Sequence, residues 1–152
     1  MSLTGKKIVL GVSGGIAVYK AVDLVSRLRK KGAEVKIVMT EAATKFVTPL
    51  TFRELSANPV VVSMWAEVHE FNVEHIALAC WADLFVVAPA TANIIAKMAT
   101  GIADDMLSTT LLATPAQIVI CPAMNTHMYE HPITKANLQK LLNLGYKVLP
   151  AA

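Results

Sequence analysis

Cys121 to Pro132 read "CPAMNTHMYEHP", placing an amide, two thioethers, an aromatic ring and two imidazoles directly after the apolar run "AQIVI". A chain that needed only a turn at the end of a strand would use Asn-Gly or Asp-Gly. The amide of Asn125, flanked by Met124 and Met128, therefore raises the question of what this strand end has to hold. Three other segments have similar character. "GVSGG" (11–15), "VMTEAATKF" (38–46) and "APATAN" (88–93) are each dense in small, hydroxylated or amide residues. Small residues let the backbone approach a ligand, and hydroxyl and N–H groups can hold a phosphate.

Each motif has two readings. "GVSGGIA" departs from G-x-G-x-x-G, so it fits a mononucleotide phosphate held by Ser13 and the amides of Gly14 and Gly15 better than a dinucleotide. An ordinary tight turn between strand and helix would look the same. Thr91 and Asn93 stand where a helix should start, and Thr91 could serve as a cap without any ligand. His75 opens a further helix, whose positive end would favour the neutral imidazole of a general base; a structural histidine fits there too. His69, His127 and His131 sit among polar loop residues and read as solvated. His127 and His131 are spaced i, i+4, but Pro132 is adjacent, so no metal site is expected.

These residues need a scaffold that gathers strand ends. Apolar runs at 7–12, 34–40, 83–90, 117–123 and 146–151 read as strands. Helical spacing runs from Ile16 to Lys30 with a stop at Gly32, and further helices are expected at Pro49, over 75–82, in "TANIIAKMATG", in "DDMLSTTLLA" with acidic residues in its first turn, and near 133–144. Residues 59–74 suggest a short strand and a loop. Continuous apolar strands alternating with helices give an α/β fold: a doubly wound parallel sheet in a flavodoxin-like or Rossmann-like three-layer sandwich. In such a sheet ligands bind beyond the carboxyl ends of the strands, where all four motifs fall.

Bulk properties narrow the class. The 152 residues suit a single domain. The longest apolar region, "LFVVAPATANIIA", is broken by Pro89, Thr91 and Asn93 and falls short of the roughly 20 residues of a membrane span. "MSLTGKK" leads straight into a strand without a signal region, so the cytoplasm is expected. A net charge of +3, with its basic cluster "RLRKKG" at a helix end, gives no nucleic-acid surface. The chain is 55% hydrophobic with a mean hydropathy of +0.51, which points to apolar surface covered in an oligomer. Cys80 and Cys121, in helix and strand, read as buried thiols.

Taken together, "GVSGGIAVYKA", "VMTEAATKFVTP", "HIALACWADLFVVAPATANIIAKMATGIADDMLS" and "CPAMNTHMYEHP" resemble the flavin-dependent cysteine decarboxylase family, most closely its branch acting on 4′-phosphopantothenoylcysteine in coenzyme A biosynthesis. The resemblance implies one FMN-binding decarboxylase domain over 1–152. It matches Ser13, Gly14, Gly15, Thr40, Phe46, Ala90, Thr91, Ala92, Asn93 and Ala123 to flavin-contacting positions. It matches His75 to the active-site histidine and Asn125 to the residue holding the substrate carboxylate, with Met124 beside it. The implied reaction oxidises the cysteinyl thiol side to a thioaldehyde, loses CO₂ to an enethiolate, and returns the electrons to give 4′-phosphopantetheine. The family's homotrimers and dodecamers would cover the apolar surface.

The resemblance also implies a substrate-covering flap with a cysteine after the last strand, and the chain stops before one. Oxidation without efficient return of electrons is therefore expected. Two other classes stay open: a peptidyl-cysteine decarboxylase of the lantibiotic type, and a non-catalytic flavin-binding regulatory subunit. A plain electron-transfer flavodoxin would need neither His75 nor Asn125.

Overall fold

A strand buried on both faces must be apolar along its whole length, and its alternate side chains feed two separate cores. The computed structural model, which describes residues 2–63 and 74–150, shows this arrangement. Its strands are β1 (Lys7–Val12), β2 (Glu34–Met39), β3 (Val60–Val61), β4 (Leu84–Ala90), β5 (Gln117–Pro122) and β6 (Lys147–Val148). All pair in parallel, in the order β3-β2-β1-β4-β5-β6. The helices are α1 (Val18–Lys30), α2 (Pro49–Ser56), α3 (Glu74–Trp81), α4 (Ala92–Thr100), α5 (Met106–Ala113), α6 (Thr126–Glu130) and α7 (Pro132–Asn143). A 3-10 turn, Ala42–Lys45, follows β2.

The alternation is visible in β1. Ile8, Leu10 and Val12 join Val18, Ala21, Val25 and Phe52 in the core under α1 and α2. Val9 points the other way, to Phe85, Leu107 and Ile120 under α4, α5 and α7. Gly11 shares that second face: a Cβ built there would lie 2.5 Å from Leu107 Cδ1, so α5 packs directly on the strand. Each fully buried Leu or Ile contributes about 1.5–3 kcal/mol relative to exposure. The two cores clamp the sheet from both sides.

β1 has β2 on one side and β4 on the other, so the connections out of β1 and β4 diverge and leave a crevice at their carboxyl ends. The doubly wound expectation holds, with the strand order of the dinucleotide-binding fold. The edge strands are short: β3 and β6 have two residues each, although Leu149 N–H extends β6 by donating to Ile120 O at 2.9 Å.

Several boundaries differ from the sequence reading. α1 starts at Val18, not Ile16, and Ile16 is 78% exposed on the turn before it. Asp105 is not inside the first turn of α5 but caps it, accepting from Ser108 N while Ser108 Oγ lies 3.1 Å from the Asp105 N–H. α6 is an addition to the sequence reading, which expects no helix between β5 and the helix near 133–144, because five residues are too few for periodicity. Cys80 is exposed and Cys121 half-buried, so neither is a fully buried thiol; both are free. The expected loop after β3 and His69 lie outside the described residues. Among the described residues no helix is long and apolar enough to cross a membrane.

Candidate flavin and carboxylate site

The carboxyl ends of β1, β2, β4 and β5 surround one cavity of about 1470 Å³. Small-molecule pockets commonly hold roughly 300–1,000 Å³. There is room for a cofactor and a second molecule together.

The turn after β1 forms one wall. Gly14 is required by close packing: a Cβ there would meet Ala42 Cβ at 2.5 Å and the Ala42 carbonyl carbon at 2.9 Å. Gly15 is different. Its Cβ would have only Thr91 Cγ2, at 3.6 Å, nearby, so the missing side chain is cavity space rather than protein contact. Ser13 is 2% exposed; its hydroxyl donates to Pro89 O at 2.6 Å and accepts from Thr91 N at 3.0 Å.

The next wall is the start of α4. Thr91 is its N-cap, with extended backbone, and its Oγ1 accepts from Ile94 N at 3.3 Å. Capping and cavity lining are therefore combined in this residue, and Ala92 and Asn93 follow it on the wall. Thr40, at the end of β2, lines the cavity while its Oγ1 accepts from Ala43 N at 3.1 Å, which holds the 3-10 turn against Gly14.

The fourth wall is the stretch after β5. Ala123 N–H donates to Ala90 O at 3.0 Å, so the ends of β4 and β5 stay side by side. Ala123, Met124, Asn125 and Met128 then line the cavity. Met124 packs against the core on the α4 side, whereas Met128 is 49% exposed. Asn125 is the N-cap of α6: its Oδ1 accepts from His127 N at 2.8 Å. That contact settles which end of the amide is which. The Nδ2 group has no protein acceptor among the described residues and remains free to donate two N–H groups.

Two expected residues are not on the wall. Ala90 is fully buried inside β4, where its neighbours in the sheet shield it, and it reaches the site only through its carbonyl bond to Ala123. Phe46 closes the 3-10 turn and is half-exposed outside the cavity lining. The backbone of His75 lies in the first turn of α3, as expected; its side chain is outside the described residues.

The sequence reading missed Lys97, Asp104 and Asp105. Lys97 lies one helical turn after Asn93, a spacing that places both on one face of α4. Its ammonium sits 2.8 Å from Asp104 Oδ1 and 3.3 Å from Asp105 Oδ2, with only 17% of the side chain exposed. Burial opposes the Lys97 charge, but the two carboxylates outweigh it and raise the pKa. The Lys97 hydrogen bond in turn holds the Asp104 carboxyl below its ordinary range. Cys121 also lines the cavity, and burial raises its thiol pKa.

A cavity at the switch point of a parallel sheet, with a glycine cradle, a capped helix start and a free amide, invites comparison with known proteins. The family model "Flavoprotein" matches residues 1–152. The coenzyme A biosynthesis bifunctional protein CoaBC of Bacillus subtilis (strain 168) is 54% identical over 144 residues, 95% of this chain and 36% of that protein. The chain thus spans about a third of that relative's length. Among solved structures, the FMN-dependent cysteine decarboxylase SpaF superposes with a TM-score of 0.91 at 33% identity, covering 97% of this chain and 85% of its own. A PPC decarboxylase mutant in complex with pantothenoylaminoethenethiol gives a TM-score of 0.83 at 29% identity, covering 95% and 81%. Fold and sequence agree, and the chain belongs to the Flavoprotein family.

Proposed function

We propose that the chain binds FMN in the switch-point cavity and decarboxylates the cysteine carboxylate of 4′-phosphopantothenoylcysteine, yielding 4′-phosphopantetheine in the cytoplasm. The observation that carries this reading is the cap made by Asn125, a cavity-lining residue whose oxygen is taken by the helix and whose two neutral N–H donors are not. A carboxylate is the ligand such a group suits, because it is held without an added charge that would oppose CO₂ loss.

The residues present fit the cofactor. Gly15 leaves open the volume a side chain would fill, and the Gly14–Gly15 turn and the start of α4 offer backbone N–H groups for phosphate and ribityl oxygens. Ala123 gives a flat, small surface for the ring system. When bound, FMN supplies the two-electron oxidation of the thiol-bearing carbon and the later return of those electrons. Asn125 orients the carboxylate, and Met124 and Met128 provide apolar, adaptable walls beside it. His75 is assigned the proton removal that accompanies oxidation, on the strength of its place in the first turn of α3.

The likeness to CoaBC and to the PPC decarboxylase supports this substrate. A second reading, a cysteine carboxylate carried on a peptide, is supported by the likeness to SpaF. We also infer a homo-oligomer: Ile16, on the cavity wall, is exposed beside Tyr19 on α1, so apolar surface lies open next to the site. Light scattering of the purified protein tests that inference, and a monomer would refute it.

The function is tested by adding 4′-phosphopantothenoylcysteine, or a peptide ending in cysteine, to the FMN-loaded protein under anaerobic conditions. Bleaching of the oxidised flavin bands with release of CO₂ from the first substrate is expected. Turnover of the peptide alone would establish the second reading, and the absence of both bleaching and CO₂ release with either would refute both.

A further inference from the structure

The hydroxyl of Ser13 has the place in the glycine turn where a phosphate ligand is expected, yet its donating capacity is spent. A serine hydroxyl has one hydrogen to donate. Ser13 gives it to Pro89 O at 2.6 Å, and its backbone N–H is directed to the same carbonyl at 3.3 Å. The hydroxyl oxygen accepts from Thr91 N at 3.0 Å. What remains is a lone pair, which a phosphate oxygen, itself an acceptor, cannot use. The side chain is also 2% exposed.

We propose that Ser13 is a positioning residue that locks two ligand-facing turns together, and is not a direct ligand of the cofactor phosphate. The lock joins the end of β1 to the N-cap of α4, across 78 residues of sequence. β1 and β4 pair regularly only from Ile8/Leu84 to Gly11/Val87, and the β4–β5 register is irregular between Val87 and Ala90. Beyond that point the regular ladder has ended, and the long Ser13 N–H to Pro89 O bond, at 3.3 Å, is reinforced by the two shorter bonds of the Ser13 hydroxyl. That hydroxyl ties the Gly14–Gly15 turn to Thr91, so that the two halves of the cradle move as one body.

This inference rests on the flavin reading above, and the test separates the two. FMN and riboflavin, which lacks the phosphate, are titrated into unsubstituted apo-protein and into Ser13→Ala, well below the unfolding temperature of each. Unpartnering the half-buried Thr91 N–H loosens the whole cradle, and the affinity for both flavins is expected to fall by the same factor, about tenfold. A fall for FMN alone would overturn the proposal in favour of direct phosphate contact. Unchanged affinities with only a lower unfolding temperature would reduce Ser13 to a fold-stabilising residue, and would overturn it as well. Ser13→Cys keeps a weak donor in nearly the same volume and serves if Ser13→Ala does not fold; equal, smaller losses for both flavins are expected, and loss confined to FMN again overturns the proposal. If the unsubstituted protein binds neither flavin, the flavin reading itself falls, and this inference with it.

Discussion

Asn125 accepts the His127 N–H at Oδ1, 2.8 Å away, and so caps α6 with its oxygen while the NH₂ group of this cavity-lining residue stays outside the cap. Under the proposed function, capping and ligand recognition would use opposite ends of one amide. Aspartate caps a helix as well as asparagine does, but has no donor and carries a charge. Asn125→Asp is therefore expected to keep stability within about 1 kcal/mol of the parent. Substrate-dependent flavin bleaching should fall at least a hundredfold, roughly the 2.7 kcal/mol or more that follows loss of one preorganised donor. Denaturant unfolding and stopped-flow absorbance measure the two quantities separately, and a bleaching rate within tenfold of the parent would remove Asn125 from the site.

The adjacent glycines should respond in opposite ways. Gly14→Ala forces a methyl against Ala42, including its backbone, and overpacking of this kind costs about 1–3 kcal/mol. Gly15→Ala meets only Thr91 Cγ2 at 3.6 Å and has no positive φ, so the fold should tolerate it. Its methyl occupies cavity space, and flavin affinity should drop while the unfolding midpoint does not. Fluorescence titration and thermal unfolding of both variants check the pattern.

The Lys97–Asp104 pair gives a signed pH dependence. Asp104 has a lowered carboxyl pKa, so its stabilising contribution is present above the ordinary carboxylate range and is lost as pH falls below about 4. Lys97 has a raised pKa, so its contribution holds at all lower pH and is lost only as pH climbs above about 10.5. Lys97→Met should cost about 1 kcal/mol or less at neutral pH. It should also flatten the acid limb of the stability curve, which urea unfolding between pH 2 and 7 would reveal. An unchanged acid limb would show that other carboxylates dominate it.

Thiol reactivity offers a footprint of the cavity. Cys80 is exposed, whereas Cys121 is half-buried on the cavity wall with a thiol pKa raised by burial. Less thiolate means slower alkylation. Iodoacetamide at neutral pH should therefore label Cys80 first, and FMN should slow labelling of Cys121 without affecting Cys80. Peptide mass spectrometry of timed samples reads both rates; equal protection of the two thiols would place the ligand elsewhere.

The strands and most helices were legible because burial on both faces demands unbroken apolar runs such as "KIVLGV", and a one-sided helix such as α1 demands its own spacing. α6 was not legible: it exists because Asn125 caps it and because "CPAMN" leaves the sheet at that point, not because five residues carry a pattern. Lys97 escaped notice for a related reason. Its partners Asp104 and Asp105 lie across a helix end and a turn, and their meeting depends on Gly101 reversing the chain with φ +74.

The sequence by itself determined the sheet, the positions of the strand ends and the chemistry collected at them, since periodicity and residue type are local properties. Which atoms of those residues remain available was decided only in three dimensions. Ser13, Thr91 and Asn125 each carry hydrogen-bonding groups that suit a ligand. The tertiary structure spends the donors of Ser13 on Pro89, uses the Thr91 oxygen on the start of α4, and leaves the Asn125 NH₂ group free. A hydrogen bond given to the fold cannot also be given to a ligand, and the partners that claim it lie as far as 76 residues away.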